Sequence, residues 1–74
     1  MPTIELPYER RIVDRLLNLT YSEFDSDRAW YRMQLDDGQP VAIPGATVRM
    51  DRGNVRIEAC TDTIADLLKE YLAK

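Results

Sequence analysis

Residues 46 to 59 read Ala-Thr-Val-Arg-Met-Asp-Arg-Gly-Asn-Val-Arg-Ile-Glu-Ala, and the reading of this stretch decides the fold. Ala46, Val48 and Met50 alternate with Thr47 and Arg49, and Val55, Ile57 and Ala59 alternate with Arg56 and Glu58. A period of two marks strands with one buried face. Arg52-Gly53 closes them into a hairpin that pairs Met50 with Val55, Val48 with Ile57 and Ala46 with Ala59. Every large apolar side chain then falls on one face, so turn chemistry and hydrophobic pattern agree on the register.

On the C-terminal side, Thr61, Asp62 or Thr63 can cap a helix, and Thr63 with Asp66 imitates a capping box. Ile64, Leu67, Leu68, Tyr71 and Leu72 form the apolar stripe of that helix, which ends in Lys74. On the N-terminal side, Pro44-Gly45 suits the centre of a type II turn, a corner between strands better than a tight hairpin. Before it, Ala29, Tyr31, Met33 and Leu35 alternate with Trp30, Arg32 and Gln34, which predicts another half-buried strand. Asp36-Asp37-Gly38 has glycine where a three-residue hairpin loop needs a left-handed residue. That loop would pair Leu35 with Gln39, Met33 with Val41 and Tyr31 with Ile43.

Leu19 to Arg28 carries a weaker pattern and reads as an exposed connection, with Glu23, Asp25 and Asp27 around Phe24. Ile12, Val13, Leu16 and Leu17 repeat at helical spacing, with Pro7 placed in the first turn and Arg10, Arg11, Asp14, Arg15 and Asn18 on the other side. Thr3 to Leu6 could add an edge strand that Pro7 ends. The expected architecture is α+β: a helix, an antiparallel sheet of about four short strands in two hairpins, and a C-terminal helix, both helices on one sheet face.

Seventy-four residues, 45% of them apolar, make one compact domain, residues 1 to 74, with no repeat and no linker. A chain of this size buries only about 60% of its unfolded surface, so its core benefits from a supplement. The single cysteine, Cys60, excludes an intrachain disulfide, and with no histidine a structural zinc site has no ligand set. Self-association or tight packing remains, and a homo-oligomer is the expectation. The N-terminal stretch lacks the order of a signal peptide and no apolar run is long enough to span a bilayer, so the expected location is cytoplasmic, without a membrane partner.

The absence of histidine also removes the commonest general base and the nucleophile pairs built on it. Carboxylates and Cys60 are what an enzyme reading would have to use. Glu23, Asp25 and Asp27 lack the order of a calcium loop and suit a solvated loop. Cys60 falls near the start of the last helix, where a thiol can become reactive, yet no partner base is visible and a small packing residue is the simpler role. No cofactor motif is present, because Gly38, Gly45 and Gly53 stand singly in turns.

Under the predicted registers, Trp30, Arg32, Gln34, Thr47, Arg49, Arg56 and Glu58 share the sheet face turned from the core. Arg49 falls opposite Arg56, an unfavourable like-charge pair unless Glu58, Asp51 or a ligand compensates. Tryptophan with several arginines is the composition of a protein hot spot and of a single-strand stacking surface, and also of an ordinary solvated face. The expected partner-binding residues are therefore Trp30, Arg32, Arg49, Arg52 and Arg56. The expected function is a non-enzymatic interaction or regulatory module, of adaptor or inhibitor type, binding a protein partner, with a homodimer joined through its sheet as the expected assembly. Accessory proteins of phages and mobile elements are analogues of this class. A nucleic-acid-binding regulator using the same residues is the alternative, which the net charge of −3 disfavours.

Overall fold

The central hairpin forms in the expected register, with Met50 opposite Val55, Val48 opposite Ile57 and Ala46 opposite Ala59. The structure is a computed structural model that describes residues 1–20 and 25–74, Asp25 through its backbone alone. Its elements are β1 (Thr3–Pro7), α1 (Arg10–Leu17), α2 (Asp25–Asp36), β2 (Val41–Ile43), β3 (Ala46–Asp51), β4 (Asn54–Ala59) and α3 (Asp62–Ala73). The strands form one antiparallel sheet in the order β1-β4-β3-β2. Inward residues such as Ile4, Val41, Val48 and Ile57 are buried, whereas Glu5, Ala42, Arg49 and Glu58 are exposed, so the helices cover one sheet face and leave the other to water.

β4, like β3, has a neighbour on each side. Thr3 to Pro7 pairs with β4 as the predicted edge strand, and Val55, Ile57 and Ala59 are all 0% exposed beneath the helices. Pro7 closes that strand instead of opening α1. Tyr8 donates its N–H to the Gly53 carbonyl at 3.3 Å and Ala59 donates to the Pro2 carbonyl at 2.9 Å. By the alternation of an antiparallel ladder, Thr3, Glu5 and Pro7 then turn their backbone groups to the free edge, where a missing N–H breaks no bond within the sheet. α3 starts at the Thr61 cap, whose Oγ1 accepts from the Ile64 N–H at 3.2 Å.

The second half of the predicted sheet is corrected. Residues 29 to 35 are not a strand but the body of α2, and the expected connection gives way to helix from Asp25. Of the rest of that connection, Tyr21 to Phe24 lie outside the described residues. Tyr31 and Leu35, one turn apart, face inward, and Leu35 is only 1% exposed. Residues 25 to 36 contain no β-branched side chain, unlike β3 and β4, and Arg28, Ala29, Arg32, Met33, Gln34 and Leu35 all favour helix.

Gly38 does adopt the left-handed conformation, φ 80°, but as the terminator of α2. Its N–H bonds the Leu35 carbonyl and that of Gln39 bonds the Gln34 carbonyl, at 3.0 and 2.9 Å, which is the pattern of a glycine-closed helix end. The pairings of Leu35 with Gln39, Met33 with Val41 and Tyr31 with Ile43 do not form; Val41 pairs with Val48 and Ile43 with Ala46. Pro44-Gly45 is consequently a two-residue hairpin loop rather than a corner.

Gly45 holds φ 76°, and a Cβ on it would lie 2.6 Å from Ile64 Cδ1. Gly45→Ala should cost about 1–3 kcal/mol from backbone strain and crowding together. Ile64→Val removes that methyl, so in urea denaturation the double variant should lose less stability than the two single variants summed. Strict additivity would mean that the turn does not rest on α3.

Candidate functional site

α2 packs by one side and leaves the other in water. Leu35 anchors the inner side, and Trp30 and Met33, three residues apart on the outer side, are 54% and 63% exposed. Ser26 precedes Trp30 by one turn and Asp37 follows Met33 by one turn, so both flank the apolar pair along the helix. The Tyr31 ring stands edge-on to the indole, 5.2 Å between centroids and 71° between planes. Two large apolar side chains side by side on a helix that already has a buried face have no role in the core.

The five residues expected to bind a partner do not form one surface. Trp30 and Arg32 lie on α2, Arg49 and Arg56 on the open sheet face, and Arg52 in the β3–β4 turn with φ 52°. The registers do bring Arg49 opposite Arg56. Compensation for that pair comes from the residues anticipated: Arg56 reaches Asp51 at 3.9 Å and Glu58 at 3.7 Å. Its buried Nε has no hydrogen-bond partner, so the contact with Glu58 is one of charge alone. Arg32 turns to α1, where its guanidinium pairs with Asp14, and Arg28 one turn earlier donates to Asn18 Oδ1.

The arginines of α1 are likewise engaged. Arg11 donates to the carbonyls of Leu72 and Lys74 at 3.0 and 3.2 Å, and Arg15 to that of Tyr71 at 2.8 Å. The Tyr71 hydroxyl returns a bond to the Arg15 carbonyl at 3.1 Å. Guanidiniums on the last turn of α3 satisfy carbonyls that have no partner within the helix and offset its negative end. Asp14 also holds Arg10, at 3.7 Å.

Other features are weaker. A cleft of about 420 Å³ between α1 and α2 is lined by Asp14, Asn18, Arg28 and Arg32, whose side chains bridge it. An apolar groove of about 290 Å³ lies among Leu19, Pro44, Ile64, Leu67, Leu68 and Tyr71, with Leu67 60% exposed. Cys60 is exposed at the junction of β4 and α3. Among the described residues no three Cys, Asp or Glu side chains converge where a metal ion could be held, and no helix is long and apolar enough to cross a membrane.

Sequence reasoning singled out Trp30 and missed Met33 and Leu67, which it assigned to the core. For Met33 a helical wheel carries the signal, because a helix with Leu35 inward sets Met33 outward. Comparison with protein-family models, with curated proteins and with solved structures finds no match.

Asp36, at the C-terminal end of the α2 face, accepts a 2.6 Å hydrogen bond from the Tyr8 hydroxyl. That bond, then partial burial and the Asp36 charge, raise the phenol above its ordinary 10.0 against a smaller opposing pull from Arg32. A group raised in the folded state contributes stability that is whole below its unfolded pKa and is lost as pH rises through the folded value. Tyr8→Phe should therefore reduce the stability lost between about pH 9 and pH 11 in urea titrations. An equal decline in wild type and variant would separate Tyr8 from Asp36.

Proposed function

We propose that this chain is a non-enzymatic interaction module of adaptor or inhibitor type, binding a protein partner through the outer face of α2. The observation that carries the reading is the exposure of Trp30 and Met33 directly behind the buried Leu35. Aromatic and methionine side chains are enriched at the centres of protein interfaces, and a helix face presents them at fixed spacing. Leu35 and Tyr31 hold α2 to the core from within, and the Arg32–Asp14 pair joins it to α1.

The alternative partner, nucleic acid, has less support. It needs a contiguous set of available cations beside the aromatic ring. Here Arg32 is committed to Asp14 and Arg56 lies between Asp51 and Glu58, while Arg49 and Arg52 sit on elements other than that of Trp30. Pairing of two copies by strand addition is also disfavoured. The free edge of β1 presents Pro7 without an N–H, and β2 has three residues between Pro40 and Pro44.

Trp30→Ala with Met33→Ala should lower retention of a protein partner from nuclease-treated lysate by about thirtyfold or more, the scale of at least one hot-spot side chain. Circular dichroism and the urea midpoint should stay close to wild type, since neither residue is buried. Arg49→Ala with Arg56→Ala, on the sheet face, should retain the partner. Undiminished retention by the α2 variant, or retention that nuclease abolishes, would overturn the reading.

A further inference from the structure

The charges around the α2 face are arranged unevenly. Its two arginines lie on the side toward α1, where the exposed Arg28 donates to Asn18 and Arg32 pairs with Asp14. Its C-terminal end carries Asp36 and Asp37, both exposed, and no basic residue occupies the last turn. A helix C-terminus is already the negative pole of the backbone dipole, so carboxylates there work against the helix they belong to. The Tyr8 hydroxyl bonded to Asp36 is a neutral donor and leaves the negative charge in place. Met33 stands three and four residues before these carboxylates, so the apolar pair and the negative end form one continuous strip.

We propose that this strip receives a basic amphipathic segment of a partner protein. Its apolar side chains pack on Trp30 and Met33, and a Lys or Arg one turn away meets Asp36, Asp37 and the end of α2. The proposal rests on the reading of α2 as the docking face and adds the chemistry of the occupant. Charge complementarity selects that chemistry: the cation missing from the last turn of α2 is supplied from outside. The indole adds to the preference, because cations are attracted to its face.

A second copy of this chain fits less well. Two α2 helices crossing antiparallel about a two-fold axis between Trp30 and Met33 would set Asp36 of one against Asp27 of the other. Carboxylate would then meet carboxylate across the axis. Nucleic acid would be repelled by the same end of the helix.

The test is selection from a displayed library of random 16-residue peptides on the full chain, with counter-selection against Trp30→Ala/Met33→Ala. Trp30 is the only tryptophan, so its emission reports binding at the face directly in tryptophan-free peptides. The expected peptides combine apolar residues at helical spacing with net positive charge, and shift the Trp30 emission to the blue. Asp36→Asn/Asp37→Asn should weaken such a peptide by about threefold to tenfold at low salt, and by less at high salt. The same peptide with Gln for its Lys and Arg should bind wild type and this variant alike.

Selected peptides that are neutral or acidic, or an affinity unmoved by the Asp36/Asp37 change, would overturn the proposal and leave the docking reading standing. Recovery of no peptide dependent on Trp30, or a dimer in sedimentation that Trp30→Ala dissolves, would also overturn it. The docking reading itself falls by a different result, unchanged partner retention by the Trp30/Met33 variant.

Discussion

The structure depends on the burial of β4 between two strands and beneath the helices. Val55, Ile57 and Ala59 have no exposure to water, and both β1 and β3 take their register from this strand. One strand thereby joins the N-terminal segment to the central hairpin. A slip of one residue would send Val55 and Ile57 into solvent and bring Arg56 and Glu58 under the helices. In a chain with no disulfide to constrain it, this penalty on misregister is the main source of a unique fold.

The parts legible in the sequence are those where two independent signals coincide. For β3 and β4, alternation and a two-residue turn select the same pairs; for α3, apolar spacing and the Thr61 cap agree, whereas α1 is carried by apolar spacing alone, since Pro7 belongs to β1 and Glu9 makes no side-chain cap. The Pro44-Gly45 loop was half legible, since the left-handed glycine was clear and its strand partners were not. α2 was illegible because its two local signals both point the wrong way. Outward Met33 between inward Tyr31 and Leu35 imitates a period of two, and a glycine at the end of a helix uses the same left-handed geometry as one in a hairpin loop. The discriminating signal was composition, the lack of β-branched residues from 25 to 36.

The misreading of α2 and the candidate site have a common cause. A helix that packed by one side alone would show a simple stripe, and Tyr31 with Leu35 supplies one. Trp30 and Met33 blur it from the outside, and neither belongs to the buried cluster. Departures from local consistency are expected where a surface serves something other than the core. That the arginines are not brought together with Trp30 has a different reason. Their residue type is visible in sequence, but whether a guanidinium is available depends on the carboxylates and carbonyls that folding brings within reach, such as Asp14 for Arg32 and the end of α3 for Arg11.

These commitments leave α1 as the junction of the polar contacts. Its Arg11 and Arg15 hold the C-terminal turn of α3, and its Asp14 holds α2, across sequence separations of 63, 56 and 18 residues. Cations that could have made a general anion-binding surface are instead consumed in fixing three helices to one another. Near Met33 the C-terminal end of α2 carries the exposed Asp36 and Asp37 with no basic residue in its last turn, although α2 itself contains two arginines. Folding makes Arg11, Arg15 and Arg32 internal fastening and leaves Trp30 and Met33 on a face that ends in the exposed Asp36 and Asp37. On the proposed docking reading such a surface would select for positive partners, without drawing on the core that β4 organises.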